Sequence, residues 1–389
     1  MRPIGGRRVT AAATGGRPVV VCVPTNRRLA LFTAAVRRSG RPDPVVVPWS
    51  ALADGTAVSL PDDAWVRVDA PGEDVETARL LRGWSAAPDL YRVEGAADQH
   101  RGFVKALDRL GDLVAATPGA GLVQRLDDLV DMCDKRRCHA RLAAADVPVP
   151  QALPGPITGY RQLRRFMSEH RMPRVFVKPV HGSSASGVIA LATASGGRLK
   201  AVTSVNLVRD DDGSVRLYNS LRLRTYTTEA DVAAVVDTLA PEGLHVERWI
   251  PKAGFDDHVV DLRVLVVAGR ATHVVVRASR SPLTNLHLGN ARGDVDALRD
   301  SVGDRAWRSA LDTAEQAAAV FGSTLHAGVD LLVSPGWRRF TVGEVNAFGD
   351  LLPRVFHHGR DTYDEQLHAL STGGFTPHSP SPRSVLEPR

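Results

Sequence analysis

Two groups of residues have the types and spacing to do chemistry. The first is a β-branched run, Val175-Phe176-Val177-Lys178, leading into a loop of small residues that includes Gly182, Ser183, Ser184, Ser186 and Gly187. Small residues let backbone N–H groups approach phosphate oxygens, serine hydroxyls add donors, and a lysine at the strand end supplies a point charge. Neither a Walker A loop nor a G-x-G-x-x-G dinucleotide loop is present, and such a loop standing alone also reads as a flexible surface turn. The second group lies near the C-terminus. Asp330 falls on one expected strand, and Glu344 and Asn346 fall two apart on the next, which puts the latter pair on one face of a sheet. Two carboxylates and an amide oxygen are hard ligands that suit Mg²⁺ on a nucleotide's phosphates rather than zinc or copper. Taken singly, Asp330 could cap a turn and Glu344 could pair with an arginine.

Composition narrows the classes. A chain of 389 residues predicts two to three domains at roughly 150 residues each. Its 49 Lys+Arg against 43 Asp+Glu give +6, spread along the whole chain, and aromatic residues make up only 5%. A dedicated nucleic-acid binder would show a basic stripe interleaved with aromatics, so no nucleic-acid partner is expected. Only five basic residues are lysines (Lys105, Lys135, Lys178, Lys200 and Lys252), so a lysine inside a motif needs a reason beyond charge. Three cysteines, Cys22, Cys133 and Cys138, are too few and too odd for a disulfide framework, which points to a reducing cytoplasm. Cys133, Cys138 and His139 lack a fourth partner nearby, so zinc is not expected there. No apolar stretch reads as a signal peptide or membrane span, and no membrane partner is expected.

The elements that must position these residues follow from periodicity. Strands over 19–23 and 44–47 flank a helix over 26–38, with a further strand at 66–68 and a helix at 75–82, which predicts a small parallel-sheet α/β domain. Helical spacing runs over 100–116 and again over 122–145, where Val147-Pro148-Val149-Pro150 ends it. A helix at 160–170 precedes the strand at 175–178. Asp211-Asp212-Gly213 marks a hairpin between strands at 200–208 and 214–223. A helix at 229–239 leads to strands at 245–250, 262–268 and 272–277; a helix at 306–321 then precedes paired strands at 327–333 and 339–346. Residues 1–17 and 371–389 read as loose tails.

Between Asp134 and Val355 this ordered set resembles the ATP-grasp superfamily, nearest to the branch that adds glutamate to a protein or peptide. Cys133-Asp134-Lys135 and Lys178 match the two lysine segments that serve the nucleotide. His245-Val246-Glu247-Arg248-Trp249-Ile250 looks like the hinge strand that meets adenine, with Glu247 at the acidic position. Asp261-Leu262-Arg263, Arg277 and Asn285-x-His287-x-Gly289 are similar to segments of the ligase branch, and Asp330, Glu344 and Asn346 match its magnesium ligands.

The resemblance implies an α/β N-terminal domain over 18–130 with a helical linker, then an α+β ATP-grasp domain over 131–370 whose two lobes clamp ATP. The small lobe would span about 147–245, the hinge 246–250 and the large lobe 251–370. It implies an ADP-forming carboxylate-amine ligase working through an acylphosphate, with ATP and one or two Mg²⁺ (or Mn²⁺) as cofactors. Small carboxylates and amines or amino acids would be its substrates, and a homodimer is in keeping with many relatives. Lys135, Lys178 and the loop from Gly182 to Gly187 would hold phosphates, Glu247, Trp249 and Ile250 the base. Arg263, Arg277 and Asn285 would act on the reacting groups, with His181 structural rather than a general base. The central glycine of many members is missing from the loop, the stretch from Gly197 to Leu244 is longer than in compact peptide ligases, and Asp350 and Arg354 follow the metal pair unusually, as substrate contacts or a turn. A small-molecule kinase using the same cradle, or a non-catalytic nucleotide binder, remains an alternative.

Overall fold

The computed structural model describes residues 15–182, 185–285, 288–349 and 351–380. Ser183, Ser184, His287 and Asp350 therefore lie outside the described residues, as do most of the two expected tails. The chain opens with β1 (Pro18–Cys22), α1 (Arg27–Arg38), β2 (Val45–Pro48), α2 (Trp49–Asp54), β3 (Trp65–Val68), α3 (Val75–Arg82), α4 (Ala96–Ala116) and β4 (Gly121–Leu122). The four strands form a parallel sheet in the order β2-β1-β3-β4. β1 is buried along its whole length, as a central parallel strand covered on both faces must be. Val19 and Val21 point to one core with Trp49, Phe103 and Leu107, while Val20 and Cys22 point to the other with Phe32 and Val36.

The helical stretch expected over 122–145 is broken, and a capping side chain explains the break. Asp134 Oδ1 accepts from Arg136 N at 2.9 Å and Arg137 N at 3.0 Å, starting a new helix. The result is α5 (Leu126–Met132) and α6 (Lys135–Ala144), with Lys135 at the first position of the second helix.

Next come α7 (Tyr160–Glu169), β5 (Arg174–Pro179), β6 (Ile189–Thr193), β7 (Leu199–Arg209), β8 (Val215–Tyr226), α8 (Glu229–Leu239) and β9 (Leu244–Arg248). They build a small lobe whose antiparallel sheet has the order β8-β7-β6-β5-β9. Alternation sorts its two faces: Val175, Val177, Leu244 and Val246 pack in the core with α7 and α8, whereas Phe176, Lys178, His245 and Glu247 lie on the opposite face.

The large lobe contains β10 (Gly254–Phe255), β11 (His258–Val267), β12 (Arg270–Ser279), β13 (Ala291–Gly293), α9 (Val295–Val302), α10 (Asp304–Ala319), β14 (His326–Val333), β15 (Phe340–Asn346) and α11 (Thr362–Ser371). Its sheet runs β13-β12-β11-β14-β15, with β10 paired to β11. One face rests on α10 through Val260, Leu262 and Val264 against Ala310, Ala314 and Ala317. Near its far end the other face packs Leu265, Val267 and Val275 with α11 and α1.

Two segments depart from the expected loose tails. Trp65 Nε1 donates to Gly16 O at 3.0 Å, and His378 exchanges backbone hydrogen bonds with Leu122 at 2.8 and 3.0 Å, so residues 15–17 and 371–380 pack on the N-terminal sheet. Helices α2, α9 and α11 and strands β6, β10 and β13 were not anticipated, being short or weakly periodic.

Gly102 lies inside α4, where alanine would ordinarily strengthen a helix by about 1 kcal/mol. A Cβ there would come within 1.8 Å of Leu81 O at the end of α3. Gly102→Ala is therefore expected to destabilise the chain by ~1–3 kcal/mol; a raised urea midpoint would contradict the close helix approach.

Candidate active site

The inner faces of the two lobes carry most of the ionisable residues singled out in the sequence. On the large sheet, Arg263, Asp330 and Glu344 are register neighbours on β11, β14 and β15, so they form one row across three strands. Asn346 pairs with Gly328 one step along the same face, and its Nδ2 donates to Gly328 O at 3.2 Å. The register slips at Gly343, leaving Val342 opposite Leu331 and Glu344 opposite Asp330. Such a bulge re-aims side chains. Here it sends Val342 into the α10 core and Glu344 to the cleft.

A line of alternating charges fixes this row. Arg277 donates from Nε to Asp261 Oδ1 at 2.6 Å and from Nη1 to Asp330 Oδ2 at 3.0 Å. Arg263 grips the same Asp330 with Nε and, at 3.1 Å, with Nη2. At the other end Lys252 Nζ donates to Asp261 Oδ2 at 2.9 Å and to Thr284 Oγ1 at 2.6 Å, and Thr284 also donates to Asp261. Burial alone would raise the Asp330 carboxyl, but Arg263 and Arg277 outweigh it and hold it far below the usual range. Arg277 is thus enclosed, its fork spent on two carboxylates rather than opened toward a substrate. Lys252, Asp261 and Thr284 were not assigned a role from sequence; the signal available was Lys252 itself, one of five lysines.

Across the cleft, Lys178 Nζ pairs with Glu247 Oε1 and lies 3.5 Å from Gly343 O on the large lobe. His245 Nε2 is 3.2 Å from the second oxygen of Glu247. Burial pushes the Glu247 carboxyl up, but Lys178 and His245 prevail and bring it down to about 2. The second lysine, Lys135, sits 3.0 Å from Glu344 Oε1 and also donates to Gly182 O, while its backbone N–H donates to Val180 O at 3.1 Å. A pocket lies between Lys135, Lys178, Glu247 and Glu344, with Met132, Leu142 and Val149 among its apolar walls.

The loop between β5 and β6 needs its glycines. Gly187 has φ +73°, and a Cβ there would come within 2.6 Å of Pro179. On Gly182, a Cβ would lie 3.2 Å from Ser186 O across the neck of the loop. Just past β9, the Trp249 ring lies tilted against Phe176 with centroids 5.4 Å apart, and the Trp249 backbone N–H donates to Arg174 O at 3.1 Å. The Arg248 N–H is taken by Gln151 O at 2.8 Å, whereas the half-buried Ile250 makes no hydrogen bond among the described residues. Asn285 lies in the turn after Thr284, its carbonyl accepting from Leu288 N at 3.1 Å; Arg354 is exposed. Burial pushes the thiols of Cys133 and Cys138 up to about 12, and His139 Nε2 is directed at Pro150 O at 2.7 Å.

No family model matches the sequence, and no curated protein does. Solved structures do. The D-cycloserine synthetase DcsG superposes with a TM-score of 0.55 at 16% identity, over 92% of this chain and 100% of that one. The macrocyclase MdnC from Microcystis aeruginosa, solved with its precursor peptide MdnA, gives 0.50 at 12% identity, over 91% and 99%. The ATP-grasp ligase PsnB, solved with a minimal precursor, gives 0.49 at 16%, over 92% and 99%. The chain has the ATP-grasp fold, with the mixed helix-and-sheet architecture expected from the sequence.

Removing one member of a buried ion pair strands the other. Glu247→Gln or Lys178→Met alone is expected to cost about 3–5 kcal/mol, and the double variant markedly less than the sum. Because the Glu247 carboxyl titrates lower in the folded chain than its ordinary 4.5, the pair's stabilisation is complete above about pH 4.5 and is lost as the pH falls toward about 2. Urea midpoints across that window should fall more steeply for the wild type than for the double variant; parallel curves would contradict the pairing.

Proposed function

We propose that this chain is an ATP-dependent, ADP-forming ligase that joins a carboxylate to an amine through an acylphosphate. The observation that carries the reading is the convergence of Lys135, Lys178, Arg263, Asp330, Glu344 and Asn346 between the two lobes of an ATP-grasp fold.

Paired with one another, these charges compensate within the protein. Five cations (Lys135, Lys178, Lys252, Arg263 and Arg277) are interleaved with four anions (Glu247, Asp261, Asp330 and Glu344). A magnesium-nucleotide complex suits such a site. Its phosphates take the place of Glu344 beside Lys135 and share Lys178 with Glu247. Lysine fits this exchange because its ammonium is a point charge on a flexible stem. In this reading Gly182, Ser186 and Gly187 would cover the phosphates, with Ser183 and Ser184 of the same loop outside the described residues, and the backbone near Ile250 would meet the base beside Trp249 and Glu247.

The donors also fit the metal. Asp330, Glu344 and Asn346 supply carboxylate and amide oxygens from neighbouring positions of two paired strands, a hard set of the kind Mg²⁺ takes, and Mn²⁺ shares that preference. When bound, the ion neutralises charge on the phosphate oxygens. Each carboxylate oxygen has about two acceptor directions, so the three bonds from Arg263 and Arg277 leave Asp330 one, on Oδ1, for an ion.

In the reaction, an oxygen of the substrate carboxylate attacks the γ-phosphorus and ADP leaves. The amine then attacks the acyl carbon, loses a proton, and inorganic phosphate departs. Phosphoryl transfer is mostly positioning and charge neutralisation, so the chain needs no covalent nucleophile. Arg263, at the edge of the buried row, is the guanidinium placed to steady the acylphosphate, and Arg277 is a positioning residue that acts through Asp330. Asn285 lies close enough in sequence to Thr284 to assist from the turn. DcsG is named for a small-molecule product and MdnC was solved with a precursor peptide, so both classes of substrate are tested. The free cysteines suit a reducing cytoplasm, and among the described residues no helix is long and apolar enough to cross a membrane.

The test incubates the full chain with Mg-ATP, pooled amino acids, small carboxylic acids and carboxylate-bearing peptides, with hydroxylamine as surrogate amine. ADP with a hydroxamate identified by mass is expected, and both should vanish in Glu344→Ala while the circular dichroism stays native. Lys178→Arg should lower turnover severely despite its retained charge. A stable phosphorylated product would make the chain a kinase, AMP would exclude the acylphosphate, and ATP binding without turnover would make it a nucleotide-dependent binder.

A further inference from the structure

The N-terminal domain is tied to the small lobe at the start of α4. Glu242, in the turn after α8, accepts from Gly95 N at 2.8 Å and Ala97 N at 2.9 Å, capping α4 from the other domain. Val93 is buried in the small-lobe core. One turn into α4, His100 stacks on His181, with ring centroids 3.9 Å apart and planes 12° from parallel. Asp134, at the junction of α5 and α6, completes a group whose ligand atoms all lie within 4.8 Å of one another. None of the three has a part in the ligase chemistry above.

Each member is prepared as a ligand by something other than its neighbours in the group. The His181 Nδ1 lies 3.4 Å from Cys133 O, which can only accept, so the contact favours the Nδ1–H tautomer and leaves Nε2 unprotonated, the usual outer-shell arrangement of a metal-binding imidazole. The His100 ring makes no hydrogen bond among the described residues, although it is half-buried. Burial and the adjacent ring push His100 down to about 3, and burial lowers His181 as well, so both are neutral, the form that ligates. Asp134 spends Oδ1 on capping α6, which holds the carboxylate still and keeps Oδ2 available. Nearby cations are occupied elsewhere: Lys135 by Glu344 at 3.0 Å, Arg137 by Asp131 at 2.7 Å, and Arg136 by Leu244 O at 2.8 Å.

We propose that His100, Asp134 and His181 bind a divalent transition-metal ion of the zinc type, with water completing the coordination, and that the ion staples α4 to the loop between β5 and β6. Two imidazoles and a carboxylate form a borderline set that suits Zn²⁺ or Co²⁺ and is poor for Mg²⁺, which prefers oxygen. In the stack the two rings hold their lone pairs in nearly parallel planes, so the His100 ring, which makes no hydrogen bond among the described residues, turns out of the stack to bring both imidazoles onto one ion at about 2.0–2.1 Å. His181 immediately precedes Gly182, whose carbonyl receives Lys135, so the ion would stiffen one wall of the nucleotide cleft from outside it.

The test is direct metal binding by the full chain, stripped with chelator and measured without nucleotide. Zn²⁺ titrated by calorimetry should bind with one ion per chain, and Co²⁺ should develop the ligand-field absorption of a low-coordinate site. His100→Phe and His181→Phe keep a ring in the stack and remove the ligating nitrogens. Each should weaken zinc by at least the ~10–100-fold that loss of an outer-shell partner costs, with the circular dichroism unchanged. Glu344→Ala should bind zinc as the wild type does, which separates this centre from the nucleotide site and keeps the outcome independent of the ligase reading. Binding undiminished in the His100→Phe/His181→Phe double variant, binding lost in Glu344→Ala, or no binding by the wild type would each overturn the proposal.

Discussion

The cleft face of the large sheet depends on one constraint: Arg277 is buried between two carboxylates, and each must be matched again on its far side. A lone charge in that environment would cost many kcal/mol in desolvation. Asp261 is matched by Lys252 and Thr284, Asp330 by Arg263, and the sequence of signs ends where the sheet meets solvent. Because the guanidinium fork has fixed geometry, a shift of β11 against β12 or β14 would break two pairs at once. Register is therefore enforced from this face by charge and from the other by the close packing of α10, whose alanines let the helix lie against the strands. Asp330, Glu344 and Asn346 inherit their positions from that enforcement.

The small lobe meets the same difficulty with a shorter solution. Lys178, Glu247 and His245 occupy adjacent places on β5 and β9, and the pair register alone brings them together. The bulge at Gly343 then turns Glu344 toward the cleft and leaves a carbonyl 3.5 Å from Lys178.

Much of this was legible locally. Period-two alternation identified the shared face of Glu344 and Asn346, and periodicity placed most helices within a few residues. The Asp134 cap was also in the sequence, as an Asx residue before a basic helix, but the apolar spacing on either side masked it. What remained hidden is non-local. Thr284 binds Lys252 from 32 residues away and Arg277 reaches Asp330 across 53. No spacing rule predicts such contacts, because they exist only once strand order and register are set. The stack of His100 on His181 is of the same kind, since it depends on how α4 docks against another domain.

The scarcity of lysine now has a physical meaning. Of the five, Lys105 and Lys200 are exposed, while Lys135, Lys178 and Lys252 are all partly buried around the cleft. Arginine does the structural work beside them: two directional bonds from Arg263 hold Asp330, and two from Arg277 tie Asp261 to Asp330. Such a fork is costly to turn toward a second partner. An ammonium offers donors around a single point and can exchange Glu344 or share Glu247 without losing its geometry. In an arginine-rich chain, retaining lysine at Lys135 and Lys178 marks the places where a charge must change partners, and the enclosed fork of Arg277 marks one where it must not. Lys252, held by Asp261 and Thr284 within the buried row, shows that this division has a boundary: there an ammonium too keeps fixed partners.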